Sequence, residues 1–279
     1  MKSKLNSKEQ KNILTAAPYT IWMIGFIVIP LFFIIGYGIT DKTGAFSVKY
    51  ILEFFTPVHM KSFLISIKLA LISTLICILL SYPLALILRD SGISKKSFLV
   101  YVFILPMWMN SLLRIIAWLN LLERSGLINT FLKSINLPTI NIINTEAAII
   151  LGMVYDFLPF MILPIYNSVM KIDDNTVNAA YDLGATKRMT FWKIIFPLTI
   201  PGMVSGITMV FIPSLTTITI SYILGGGKIL LIGNVIEEAF LFSGNWNLGS
   251  SMSLVLIAFI LITMALTSKY YDNEEGAVL

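Results

Sequence analysis

NAAYDLGATKRMTFWKIIFP, residues Asn178 to Pro197, is the longest strongly polar interruption between two runs apolar enough to cross a bilayer. A segment of this composition cannot sit in hydrocarbon, so it lies in water or against another protein. On either side of it the chain alternates apolar runs with short polar connectors. Of 279 residues, 57% are hydrophobic and 13% charged, and the mean hydropathy is +0.84. These values exclude an ordinary soluble domain and predict an all-α polytopic membrane protein.

Six runs are long enough to span at 1.5 Å per residue, over about 17–39, 62–88, 98–122, 147–166, 198–224 and 250–271. Together residues 17–271 read as one transmembrane domain, between a basic leader at 1–16 and a short tail at 272–279. The length of the first run, its glycines Gly25, Gly36 and Gly38, and the lack of a small-residue cleavage pattern predict a retained anchor. Pro201 and Pro213 predict kinks in the fifth run, and Tyr82-Pro83 one in the second. Short helices are expected within Glu123 to Thr145 and over Val235 to Phe242.

Six spans put both termini on one side. The leader, residues 89–97, residues 171–196 and the C-terminal end carry twelve Lys and Arg, against six in the three opposite connectors. Positive-inside bias therefore places the termini, and the polar segment at 171–197, in the cytoplasm. The same distribution explains the net charge of +5 without nucleic acid, because the cations are spread over short loops. One cysteine, Cys77, offers no disulfide, and one histidine, His59, no His-based metal or triad site. Gly225-Gly226-Gly227-Lys228 lacks P-loop spacing. No paired carboxylates, activated nucleophile or metal cluster suggests catalysis, so no catalytic residue, metal or cofactor is expected on this chain.

Locally, the polar segment reads as helix, turn, helix. Asp173, Asp174 and Thr176 are N-cap candidates, Val177 to Leu183 a short helix, and Gly184 its C′ residue. Thr186 can cap a second helix to about Phe196, with Pro197 marking the membrane boundary. Small Ala179 and Ala180 predict a flat surface onto which another protein packs. The spacing Ala179-Ala180, three residues, Gly184, nine residues, then Ile194-x-Phe196-Pro197 resembles the EAA loop of ABC importer permeases. Asn178 stands where that family has Glu, and Phe196 where it has Leu.

The resemblance extends to SYPLA at Ser81 to Ala85, LPMWMNSLLRI at Leu105 to Ile115, LPFMILPIYNSVMKID at Leu158 to Asp173, and LGGGKILLIGNV at Leu224 to Val235. These look like the spermidine/putrescine permeases of the PotB type within the binding-protein-dependent family. The resemblance implies a type I ABC importer permease fold. It also implies a complex of this chain with a second homologous permease, a cytoplasmic ATPase dimer holding ATP and Mg, and an extracytoplasmic substrate-binding protein. Asn178, Ala179, Ala180, Asp182, Leu183, Gly184, Ile194 and Pro197 would then form the ATPase-coupling surface. An ABC permease for another small solute, or a stand-alone secondary transporter, would fit the same apolar pattern.

A polyamine presents ammonium groups, which carboxylates and aromatic faces recognise. Asp156 is the only acid deep inside an apolar run, and Ala148, Gly152 and Asp156 share one helix face. Tyr155, Trp108 and Tyr222 are aromatic candidates for a substrate path, and Glu237 and Glu238 for its outer mouth. Residues near span ends such as Trp108, Trp118, Tyr222 and Trp246 serve equally as interface anchors. Arg114 and Asp156 fall at similar depth by helix rise, so Asp156 has two readings, a structural ion pair with Arg114 or a substrate contact.

Overall fold

A computed structural model describes residues 16–90 and 105–268. The leader to residue 15, most of the 89–97 connector, the start of the third run and the tail lie outside the described residues. The described fold is helical. Among the described residues, five helices are long and apolar enough to cross a membrane. They are α1 (Ala16–Gly38), α3 (Pro57–Asp90), α6 (Glu146–Met170), α8 (Lys187–Thr216) and α11 (Trp246–Ser268). Shorter helices are α2 (Lys49–Phe54), α4 (Ser111–Leu122), α5 (Leu127–Ser134), α7 (Asp174–Asp182), α9 (Thr219–Leu224) and α10 (Ile232–Glu237).

The chain divides into two compact units. The smaller comprises Met1–Pro57 and Ile236–Phe259. In it α1 is apolar all round and almost wholly exposed, as a helix facing lipid or another chain should be. Its C-terminal carbonyls are taken by α11, where Asn247 Nδ2 donates to Tyr37 and Thr40 oxygens at 3.1 and 2.8 Å and Ser251 Oγ to Gly38 O at 2.7 Å. After α1, hydrogen bonds from the Thr43 hydroxyl and then the Thr43 N–H hold the Asp41 carboxyl below the ordinary carboxylate range.

The larger unit comprises Val58–Val235 and Ile260–Leu279 and is built on α6 against α8. Gly202 and Gly206, four residues apart, form a small-residue seam on α8. A Cβ on Gly202 would meet Ser168 Oγ at 2.2 Å and Pro164 O at 2.5 Å, and one on Gly206 would meet Met161 Sδ at 2.6 Å. Prolines 159 and 164 in α6 and 201 and 213 in α8 lie inside continuous helices, tolerated because neighbouring helices cover the freed backbone.

Two expected spans are corrected. Residues 198–224 are not one helix, for α8 stops at Thr216, Thr217 is extended with ψ 138, and α9 begins at Thr219. The β-branched run Thr216-Thr217-Ile218-Thr219 disfavours helix, and a buried network compensates the break. In it Asn234 Oδ1 accepts from Ser221 Oγ at 2.5 Å and Leu231 N at 3.0 Å, while Nδ2 donates to Ile218 O at 3.2 Å. The described part of the 98–122 run is also interrupted. Leu105–Trp108 is a 3-10 turn, and α4 starts only at Ser111 because the Asn110 side chain accepts from the N–H groups of Leu112 and Leu113.

The α6–α8 seam yields a stability test. Gly202→Val should cost on the order of 1–3 kcal/mol by overpacking against the Pro164 carbonyl. Gly25→Val, with nothing within 4 Å of its Cβ, should change stability by no more than about 0.5 kcal/mol. Thermal melting of the two variants in detergent reads the difference, and equal melting points would refute the seam.

Candidate functional site

The polar segment folds as a helical turn that ends on a Schellman motif. Asp173 Oδ1 accepts from Asn175 N at 3.0 Å and so caps α7. At the other end Ala185 N bonds to Ala180 O at 3.0 Å and Gly184 N to Tyr181 O at 2.9 Å, with Gly184 at φ +82. That conformation favours glycine, so the turn between α7 and α8 is set by this residue. Thr186 Oγ1 then accepts from Met189 N at 3.3 Å and opens α8. The second helix does not end near Phe196. A π turn over Phe191–Ile195 carries it on, and Pro197, which has no N–H to place, enters a helix that runs to Thr216.

The exposed face of this turn is Asn178, Ala179, Asp182, Leu183 and Gly184. Leu183 is 88% exposed, an apolar side chain presented at the tip of a polar segment. Ala180 faces inward instead and is buried, so the flat alanine surface expected from Ala179-Ala180 is half as wide. Its position three residues before the C-cap turns it toward the protein while Ala179 turns out. Ile194 is half-buried and Pro197 exposed. Arg89, at the end of α3, reaches this segment. Its Nη2 donates to Asp174 Oδ1 at 2.8 Å and Ile172 O at 3.3 Å.

The second candidate lies where α4 meets α6. Arg114 Nη2 is 2.7 Å from Asp156 Oδ1, with side-chain exposures of 7% and 10%. Ser111 Oγ donates to Asp156 Oδ2 at 3.0 Å. Arg114 Nε and Nη1 are buried with no hydrogen-bond partner among the described residues. The face Ala148, Gly152, Asp156 is packed rather than open, because a Cβ on Gly152 would meet Leu224 Cδ1 at 2.6 Å and Ile220 Cγ2 at 2.9 Å.

Among the described residues, the polar contacts of Asp156 are with Arg114 and Ser111. Tyr155 points into an apolar groove of about 470 Å³ with Trp118, their rings edge to face at 5.3 Å. Trp108 is 89% exposed and Tyr222 partly exposed. Glu237 and Glu238 belong to the smaller unit, where Glu237 Oε2 is buried with no partner among the described residues and Glu238 is exposed. Sequence reasoning missed Ser111, whose hydroxyl donates the hydrogen bond to Asp156. Asn-Ser before an apolar helical run is an N-cap pattern, and it carried the signal.

The described residues, with several membrane-long apolar helices and an exposed polar helix–turn–helix between two of them, have the layout of an integral membrane protein. Residues 81–270 match the family described as binding-protein-dependent transport system inner membrane component, and the chain belongs to that family. It is 34% identical to the spermidine/putrescine transport system permease protein PotB of Haemophilus influenzae, across 97% of this chain and 98% of the relative. It is 38% identical to PotB of Escherichia coli strain K12, across 84% of this chain and 88% of that protein. Among solved structures, its fold is similar to a chain of a bacterial alginate ABC transporter in complex with an alginate pentasaccharide-bound periplasmic protein. There the TM-score is 0.78 and the identity 15%, over 93% of each chain. The protein is thus a multi-pass inner-membrane component of an ABC transport system.

Breaking the ion pair tests its role. Arg114→Gln or Asp156→Asn alone leaves a buried charge without its partner and should cost about 3–5 kcal/mol, read as lost folded yield on size exclusion. The exchange R114D/D156R should recover much of that loss. A double variant as poor as either single one would sink the structural reading.

Proposed function

We propose that this chain is a permease subunit of an ATP-driven importer of spermidine and putrescine. The observation that carries the cargo is the 34% to 38% identity to spermidine/putrescine permeases over most of both chains. The working complex contains a second homologous permease, two ATPase subunits on the cytoplasmic side and an extracytoplasmic binding protein. ATP and Mg are held by the ATPase subunits, and this chain hydrolyses nothing itself. Six membrane spans with cytoplasmic termini complete the topology, supported by the charge asymmetry of twelve cations against six.

In this reading the segment 174–186 is the coupling element. The exposed Leu183 and the glycine turn beside it suit insertion into a cleft of the ATPase, as an apolar anchor does at a docking surface. ATP binding closes the ATPase dimer, α7 moves with it, and the bundle changes from inward to outward opening. Cargo from the binding protein then enters from outside. Coupling of this kind is reciprocal, so loaded binding protein raises ATPase turnover.

The family glutamate at position 178 is an asparagine here, so the coupling contact at that position is uncharged. Asp156 is paired with Arg114 and Ser111, and in this reading cargo recognition falls to other groups of this chain or to the second permease.

The assembled complex in proteoliposomes tests the proposal. ATP-dependent uptake of labelled putrescine should be competed by unlabelled spermidine, and absence of competition by either polyamine would assign another solute. Gly184→Arg should abolish uptake, because a side chain at φ +82 is strained and would stand at the docking tip. Uptake by this chain alone, driven by an ion gradient, would point to a secondary transporter instead.

A further inference from the structure

We propose that Arg89 is the positioning residue through which the coupling helix α7 acts on α3; this rests on the importer reading above. Arg89 lies in the last turn of α3. Its guanidinium sits between the end of α6, capped at Lys171, and the start of α7, whose first residue is Asp174. A single nitrogen, Nη2, joins three helices by donating to Asp174 Oδ1 at 2.8 Å and to the Ile172 carbonyl at 3.3 Å.

The two ends of this link differ in burial. The Arg89 side chain is 11% exposed and that of Asp174 is 87% exposed. A pair between two mobile surface side chains contributes little, because holding both in place costs rotamer entropy. Here the cation is held by its surroundings, and only the carboxylate has to be ordered. The second bond goes to a carbonyl just past the C-terminus of α6, where the helix dipole favours a cation. Nη2 carries two hydrogens, one for each acceptor, and the rigid planar group holds them in a fixed direction.

A second attachment lies two turns back on the same face of α3. The Tyr82 hydroxyl is 2.7 Å from Thr199 Oγ1 on α8, and its ring packs against Phe191 and Phe196 at 5.8 Å each. Arg89 therefore fastens α3 to the beginning of the coupling turn, and Tyr82 fastens it to the arm that leaves that turn. The Gly184 turn between them is the bend about which the two arms relate. A tilt of α7 is carried into α3 through both points. Through Leu71, Thr74 and Ile78, α3 then moves one wall of an apolar cavity of about 360 Å³ that it shares with α8 and α11.

The test compares wild type, R89A, R89K, D174N and R89A/D174N as assembled complexes in proteoliposomes. The readouts are ATPase stimulation by spermidine-loaded binding protein and polyamine moved per ATP hydrolysed. R89A should keep assembly and basal ATPase within about twofold, yet lose about tenfold in stimulation and in transport per ATP. R89K and D174N should lose about threefold, and the double variant should be no worse than R89A, because both substitutions break one link. Should R89A fail to assemble, R89K and D174N carry the test.

Wild-type coupling in the assembled single variants, or losses that add in the double variant, would overturn the role of Arg89 alone. A wild-type complex whose ATPase ignores loaded binding protein would overturn the importer reading and this inference with it.

Discussion

Every backbone N–H and C=O inside an apolar environment needs a partner, and this constraint governs where the helices of this protein are allowed to stop. Each interruption is answered by a buried or capping side chain. Asn110 takes the first free N–H groups of α4, and Asn234 takes Leu231 N and Ile218 O at the break between α8 and α9. Asn129 bonds Ile140 N and O and Glu123 O, closing the loop around α5. Asn247 serves the end of α1, and Ser66 Oγ accepts from Ile232 N at 2.8 Å. Asparagine suits these breaks because its amide can donate or accept, and in Asn129 and Asn234 it does both.

This explains why the broken segments are stable and also why they are placed as they are. The body of α4, through Ile115, and both ends of α9, through Ile220 and Leu224, pack in one core with Ala148, Ile149 and Met153 of α6. Small residues on α6 let them approach, since Gly152 has no room for a Cβ. α6 is therefore in contact with α8 through the Gly202–Gly206 seam and with the two short helices through Ala148 and Gly152. One helix organises the larger unit, and the exposed polar turn at 174–186 follows directly on its C-terminal end.

The sequence made the class, the rough positions of most of the long apolar helices, and the helix–turn–helix at 174–186 legible, because each depends on local signals. Hydropathy does not depend on partners, and Asp173, Gly184 and Thr186 act within a few residues of themselves. The interruptions were not legible, because an apolar run reads as a helix whether or not it is continuous. Only the β-branched run at 216–219 and the Asn-Ser pair at 110–111 marked them, and both are weak against a strongly apolar background. The contacts of Arg89, Tyr82 and Ser111 join residues 45 to 117 positions apart, and no local pattern encodes such distances. Arg114 and Asp156 were an exception, since two lone charges in apolar runs at similar depth have few other partners.

Their geometry also limits what that pair can be for. Two buried guanidinium nitrogens, Nε and Nη1, have no acceptor among the described residues, and Asp156 Oδ1 faces a single nitrogen. A bidentate pair with full hydrogen bonding can recover most of its desolvation cost, but this one recovers less. Net stability therefore comes from the packed seams around it, where small residues and apolar side chains interdigitate. What the pair supplies is direction. Arg114 lies in the first turn of α4 and Ser111 at its start, so the ion pair and the hydrogen bond to Asp156 both come from the end of the helix that Asn110 has just begun. Cap and ion pair together fix where α4 starts and which way its first turn faces against α6. A helix that must begin inside an apolar run needs both, because packing alone would allow it to slide by a turn.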